Sequence, residues 1–261
     1  MRRTSAFSAR IMANMFPVIQ VGPLSIQARG VILLAAIWFA TEAAERGAKR
    51  LGVSGDAIYN LTLLAGVCGL IGARLGYALD HFTIYRNYPA ALVALDLNTL
   101  SAAWGALAAS LAAYGYARRK GIANRTLLDA LTPGFLVLAF GLALADLASG
   151  DGYGLPVSLP WSIELWGAAR HPTQIYLLLA VGLISLIVLK SDRPFAGYRF
   201  GLGIVLYAAA YLIVDGFRGD STIVNGVRLA QVWCLAVIVV TLFVLRHWAK
   251  SEQPTSVLIN P

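Results

Sequence analysis

The sequence predicts an all-α polytopic membrane protein with about seven transmembrane helices, its N-terminus outside and its C-terminus cytoplasmic. Three observations predict it. Hydrophobic residues make up 58% of the 261 residues and charged residues only 13%. A soluble domain is roughly half apolar and about one quarter charged. Uncharged stretches recur at 57–73, 97–117, 130–145, 171–189, 200–214 and 229–245, with a weaker one at 30–41. Basic residues gather in alternate gaps between those stretches. The mean hydropathy of +0.69 agrees. Together these exclude a disordered chain, a coiled coil and a nucleic-acid-binding domain of the usual kind, and they argue against a soluble enzyme.

A spanning helix needs roughly 20 mostly apolar residues, fewer if a charge sits near one end. With end charges allowed, helices are expected at 25–46, 57–79, 98–117, 126–147, 172–190, 197–216 and 227–247. A β-barrel is the other spanning solution, but it would alternate polar and apolar residues over short segments. Continuous runs such as Leu63–Val67 argue against that. Cys68 and Cys234 are too few and too far apart for a disulfide framework or a metal cluster, and both sit in apolar runs.

Orientation follows from the basic residues. Arg46, Lys49 and Arg50 follow the first helix, and Arg118, Arg119, Lys120 and Arg125 follow the third. Lys190, Arg193 and Arg199 separate the fifth from the sixth, and Arg246 and Lys250 follow the seventh, twelve in all. The loops on the other side hold Arg86, Arg170, Arg218 and Arg228, only four. The side richer in Lys and Arg belongs in the cytoplasm. Arg2, Arg3, Arg10 and Arg29 run against that rule. Met1–Phe7 carries the arginine pair of a twin-arginine signal, but Pro17 and Pro23 follow and no long apolar core does, so a cleaved signal is not expected. The organisation read from the chain is an outer segment 1–24, a membrane domain 25–247 with outer loops 80–97 and 148–171, and a cytoplasmic tail 248–261.

Ionisable residues are costly in a membrane, so each is a functional candidate. They collect at the outer ends of the helices. Arg74 lies in the Gly72–Tyr77 run GARLGY, with His81 on the adjacent loop. Asp146 ends the fourth helix, Arg170 and His171 precede the fifth in ARHPTQIY, and Asp215 and Arg218 close the sixth in VDGFRGDS. Taken singly, each has a structural explanation: an interhelical ion pair, or a first-turn residue before Pro172. The pairs Gly72/Gly76 and Gly197/Gly201 have the spacing of helix packing. Three arginines, one histidine and two aspartates at one leaflet shift the weight. Guanidinium groups bind phosphate bidentately, which suits a phospholipid headgroup. Asp146 is expected to pair with Arg74 or another outer arginine, because an isolated carboxylate there is expensive. The inner Arg/Lys tracts are topology signals that also contact anionic lipid. No P-loop, HExxH, GxSxG or CxxC pattern occurs.

GARLGYALDH, ARHPTQIY and GFRGDS, in this order, together with the opening FPVIQVGPLSIQARG, resemble the prolipoprotein diacylglyceryl transferase family over about 16–247. The resemblance implies seven helices with the N-terminus outside, in a bacterial cell (inner) membrane. It also implies transfer of a diacylglyceryl group from phosphatidylglycerol to the lipobox cysteine thiol of a prolipoprotein. A thioether forms, glycerol phosphate leaves, and no metal or organic cofactor is needed. The implied partners are phosphatidylglycerol, the prolipoprotein signal peptide and membrane lipids, with no nucleic acid. Physically, the leaving phosphate must be held, the thiol must lose its proton, and the reactants must meet at the membrane surface.

Residue by residue, Arg74, Tyr77, Arg170, His171, Gln174 and Tyr176 fit the family motifs. Arg218 matches its late arginine, and Asp215 a position that is normally acidic. Gly154 matches a glycine of the outer loop and Asp151 a nearby acid. On this resemblance His171, Arg218 and Asp215 are the catalytic candidates. Arg74, Tyr77, Arg170, Gln174, Tyr176, Gly154 and Arg29 are the lipid-binding ones. His171 is the candidate general base, with a pKa near neutrality, and His81 is a lesser one.

The sequence also departs from the family. A His-Gly-Gly-Leu element becomes Trp104-Gly105-Ala106-Leu107. A glycine-arginine-x-glycine-asparagine element becomes Ala145-Asp146-Leu147-Ala148-Ser149. An early tyrosine becomes Arg29, which restores a positive charge if it reaches the same cavity as Asp146. These losses motivate a second reading, a non-catalytic or repurposed paralogue that binds phospholipid or a lipidated partner. A transporter is a weaker third, because the polar groups sit at one leaflet and no paired broken helices are evident.

Overall fold

The computed structural model describes residues 18–21, 24–93 and 99–252. The Met1–Phe7 arginine pair, most of the 1–24 segment, residues 94–97 of the first outer loop and residues 253–261 of the tail lie outside the described residues.

The described chain opens with strands β1 (Val18–Val21) and β2 (Leu24–Gln27), paired antiparallel. Helix α1 (Ala28–Lys49) follows, then α2 (Gly55–Asp80), a short α3 (Phe82–Asn87) and a 3-10 turn at Pro89–Val93. Next come α4 (Ala102–Arg119), α5 (Asn124–Ser149) and the hairpin of β3 (Ile163–Leu165) and β4 (Ala168–Arg170). Helices α6 (Thr173–Lys190) and α7 (Tyr198–Asp215), the hairpin of β5 (Ile223–Val224) and β6 (Val227–Arg228), and α8 (Leu229–Ser251) complete it.

The fold is therefore mostly helical. Five helices, α2, α5, α6, α7 and α8, are long and apolar enough to cross a membrane. The seven stretches expected from sequence all fall on helices, with ends displaced by a few residues. The largest displacements have local causes. Helix α1 starts after Gln27 because Leu24–Gln27 pairs with β1. It runs on to Lys49, where Arg46 and Lys49 in the last turn complement the negative end of the helix dipole. Ser54 caps α2 by accepting from the amide of Ala57.

The chain divides into two compact units, one of residues up to Ala43 with those from Leu131 onward, the other Ala44–Ala130. In the second unit α2 and α4 approach closely over small residues. A Cβ built on Gly72 would strike that of Ala108, and one on Gly69 would lie 3.1 Å from Ala109. Without a strong hydrophobic drive between helices in lipid, such close backbone approach is what holds them. A polar cavity of about 590 Å³ opens at the start of α2, lined among others by Ser54, Asn60, Tyr116, Lys120 and Thr126. It lies among the residues of the expected inner loops.

In the first unit, Ala139 and Ala143 of α5, Leu177 and Val181 of α6 and Val214 of α7 form a buried cluster under Tyr176, Tyr207 and Tyr211. Leu136, Ile184 and Val188 continue it. Gly141 lets α5 meet Ala36 of α1, and Gly201 lets α7 meet Leu245 of α8. Gly197, at φ 90°, lies where a Cβ would strike Trp248. Both glycine pairs singled out by spacing thus serve helix packing. No residue of α8 is buried. Cys68 and Cys234 are free and half-buried, less enclosed than their apolar surroundings in sequence suggest.

Candidate functional site

The segment 148–171 carries more structure than its Gly- and Pro-rich sequence implies. Trp166 and Gly167, at φ 53° and 73°, turn the β3–β4 hairpin. Residues 153–157 lie alongside it. The His171 amide donates to the Leu155 carbonyl at 3.1 Å, and the Val157 amide to that of Ala169 at 2.9 Å. On the other edge, Leu155 donates to Phe217 and Gly219 to Tyr153, both at 2.8 Å. Gly154 sits at this crossing, where a Cβ would strike the carbonyl oxygen and Cβ of His171.

The first turn of α6 supports the loop from below. Thr173 and Gln174 are almost fully buried. The Gln174 amide donates to the Asp151 carbonyl at 2.7 Å, and the Thr173 hydroxyl donates to the Gly152 carbonyl. Buried polar groups are rarely left without such partners. Gln174 is therefore a loop-holding residue in this structure.

Four arginines meet four aspartates on this platform. Arg170 donates to the carbonyls of Leu165 (2.9 Å) and Gly154 (3.2 Å) and lies 4.9 Å from the Tyr153 ring centroid. Arg218 forks onto Asp220 with both bonds at 2.9 Å, and its third nitrogen donates to the Tyr211 hydroxyl at 2.7 Å. Burial works against its charge. The hydrogen bonds to Asp220, with the charges of Tyr211, Asp220 and Asp146, more than offset this and hold its pKa above the ordinary arginine value. Arg228 donates to the carbonyls of Asp215 (2.8 Å) and Arg218 (2.9 Å), satisfying the open end of α7. Arg29, at the start of α1, bridges Asp146 at 3.3 Å and Asp151. Asp146 thus has the arginine partner expected of it. Ser149 joins the same group by donating to Asp151 at 2.8 Å.

Asp215 is buried at 1% exposure. Its Oδ1 accepts from Ser221 at 2.6 Å, while Oδ2 has no partner among the described residues. His171 stands in an aromatic nest. Its Nδ1 lies 3.3 Å from the Tyr176 hydroxyl, which also accepts from the Trp161 indole at 2.9 Å, and its ring centroid lies 5.2 Å from that of Phe217. A phenol oxygen can accept twice, so Nδ1–H can donate to Tyr176 and leave Nε2 unprotonated. Beneath Tyr211, an almost wholly apolar cavity of about 330 Å³ is lined by Phe135, Tyr207, Trp233 and Cys234.

Arg74 and Tyr77 lie in the other unit. Arg74 donates to the carbonyls of Leu92 (3.0 Å), Thr99 (3.1 Å) and Ala91 (2.5 Å) and to the Thr99 hydroxyl. It ties the first outer loop together. Tyr77 stacks on His81 with centroids 4.2 Å apart. The His81 Nδ1 lies 3.0 Å from the Tyr77 carbonyl, which can only accept, so Nδ1 carries the proton. Trp104 lies across Gly76, where a Cβ would strike the indole, and its indole N–H donates to Asp80 at 3.3 Å.

Sequence reasoning missed Asp220, Tyr211, Ser221, Arg228 and Thr173 as members of this network. Asp220 and Ser221 stood inside the quoted VDGFRGDS run, where only Asp215 and Arg218 drew attention.

A mostly helical chain with five helices suited to crossing a membrane, and an arginine–carboxylate platform at the ends of α5, α6 and α7, defines a polytopic membrane protein with a cluster of paired charges at those helix ends. Comparison with known proteins makes the class specific. The family model described as prolipoprotein diacylglyceryl transferase matches residues 17–247, and the chain belongs to that family. It is 26% identical to the phosphatidylglycerol–prolipoprotein diacylglyceryl transferase of Finegoldia magna over 216 residues, covering 80% of this chain and 86% of that one. It is 26% identical to the Bacillus cereus protein of the same name over 253 residues, covering 90% and 92%. The Clostridioides difficile protein of that name is 27% identical over 213 residues, covering 80% and 86%.

Proposed function

We propose that this protein transfers a diacylglyceryl group from phosphatidylglycerol to the lipobox cysteine of a prolipoprotein at the bacterial cell membrane. The observation that carries this reading is the family match across nearly the whole chain. Seven spanning helices, an outside N-terminus and a cytoplasmic C-terminus form part of the proposal. So does the division into an outer segment 1–24, a membrane domain 25–247 with outer loops 80–97 and 148–171, and a tail 248–261.

The chemistry is a displacement at carbon. The cysteine sulfur forms the new S–C bond, the C–O bond to phosphate breaks, and glycerol phosphate departs with the electron pair. Arg218, with Arg29 nearby, stabilises the charge growing on the leaving phosphate. His171 takes the thiol proton at Nε2, with Tyr176 orienting the ring through Nδ1. Asp215, by accepting from Ser221, holds in place the loop that carries Arg218. Gly154, Arg170 and Gln174 shape the outer loop that the lipid meets. The apolar cavity under Tyr211 takes hydrocarbon. Arg74 and Tyr77 contribute by ordering the first outer loop.

The test is a strain depleted of its own transferase and supplied with this protein. Thioether lipidation of a test precursor is expected, and its absence would sink the reading. A specific observation favours the alternative, a phospholipid-binding paralogue without turnover. The side chains at departed family positions are engaged within the protein, Asp146 with Arg29 and Trp104 with Asp80. Efficient transfer eliminates that alternative, whereas co-purifying lipid without transfer supports it.

A further inference from the structure

We propose that Asp220 occupies, in the resting protein, the anion site that a lipid phosphate must take, so that phosphate enters by exchange with this carboxylate. This rests on the reading of Arg218 as the phosphate-holding residue.

The site around Asp220 is built as an anion receptor. Two parallel N–H donors of Arg218 reach its two oxygens at 2.9 Å each, and the Gly152 backbone amide donates to Oδ2 at 3.0 Å. A guanidinium fork joined by a backbone amide is the geometry that grips carboxylate and phosphate alike. Gly152 stands at φ 63° with the Arg218 guanidinium 3.3 Å from where a Cβ would be, so no side chain fills the space. The third Arg218 nitrogen is on Tyr211.

The charge count points the same way. Arg29, Arg170, Arg218 and Arg228 stand against Asp146, Asp151, Glu164, Asp215 and Asp220, so the platform as a whole carries no net positive charge. A phosphate is drawn there only where a carboxylate moves off its arginine. Asp220 is the carboxylate placed to leave. Asp146 and Asp151 pair with Arg29 and leave the Arg218 fork to Asp220, and Asp215 is buried. Asp220 instead lies on the stretch between α7 and the β5–β6 hairpin, two residues beyond Arg218, with its side chain a quarter exposed. A ligand that must first displace an internal occupant binds more weakly, its dissociation constant being divided by the fraction of protein in the open form.

The experiment uses the full chain purified in detergent and sn-glycerol 1-phosphate as the probe. Asp220→Asn keeps the shape and an oxygen for the Gly152 amide but removes the competing charge. It should bind the probe on the order of tenfold tighter than the parent protein. Equal or weaker binding by a variant with an unchanged unfolding temperature overturns the proposal. If the variant fails to fold, the parent protein decides. Adding the probe should raise esterification of Asp220 by a carboxylate-directed diazo reagent, read by peptide mass spectrometry, and unchanged labelling refutes the exchange. Neither measurement depends on transfer. A protein that binds the probe without the Asp220 effect removes this inference and leaves the proposed reaction to the lipidation assay.

Discussion

Arg29 and Asp146, two positions where the sequence reading expects departures from the family pattern, are paired in the structure at 3.3 Å. Replacing Asp146 alone by arginine puts two guanidinium groups where an ion pair stood. At that separation the bare Coulomb energy is about 5 kcal/mol with an effective dielectric near 20. Arg29 is 41% exposed and Asp146 27%, so solvent screens most of it. Reversing the sign should then cost roughly 2 kcal/mol of stability, larger than loss of an exposed pair and well below the bare figure. Asp151, the second partner of Arg29, softens the loss further. The assay is a double-mutant cycle on detergent-purified protein, followed by reversible unfolding in SDS. Asp146→Arg should destabilise, and adding Arg29→Tyr, which removes the opposing charge, should recover about half or more of the loss. A coupling below roughly 0.5 kcal/mol would show that the two sites behave independently and that the pairing carries no weight.

Three further outcomes follow from contacts already described. Gly154→Ala pushes a methyl into His171 at the crossing of three segments; thermal unfolding should show a loss of roughly 1–3 kcal/mol, as for an overpacked core, and lipidation should fall with it. Gln174→Leu leaves the Asp151 carbonyl without its buried donor, which should cost about 1–3 kcal/mol and speed proteolysis within 148–171, whereas full retention of stability would count against a loop-holding role. Gly76→Ala should dislodge Trp104 from its seat, seen as a change in tryptophan emission relative to Trp104→Phe carrying the same substitution.

The helices were readable because their signal is collective. Twenty apolar residues in succession leave few alternatives, and a misplaced end displaces only a few of them. Helix α1 shows the limit: residues 25–27 read as the start of the first helix, yet pair as a strand with β1. The small hairpins were harder. Asn225-Gly226, at φ 51° and 78° and flanked by valines, is the strongest short hairpin signal there is and was overlooked within a membrane reading. Trp166-Gly167 does the same job with a tryptophan in a left-handed conformation, which no composition rule anticipates.

Of the site, residue types were readable and partners were not. Arg74 has the look of a phosphate ligand in sequence, but its donors go to loop carbonyls. Arg218 stands out in the sequence, yet the carboxylate that engages it lies two residues away in a stretch that reads as plain loop. Partner choice depends on where segments 64 residues apart cross, as Gly154 and Arg218 do, and a single sequence has no term for that.

Arg228 immediately precedes α8, and its guanidinium grasps the carbonyls of Asp215 and Arg218. Helix α8 runs 23 residues with no buried position, so the bilayer is its main environment. At 1.5 Å per residue it is about 34 Å long, slightly more than a hydrocarbon core of about 30 Å. Any tilt or vertical shift of α8 in a thicker or thinner membrane therefore pulls on the backbone that carries Arg218. The same two hydrogen bonds that close the end of α7 are thus the mechanical link between a membrane-facing helix and the loop that carries Arg218.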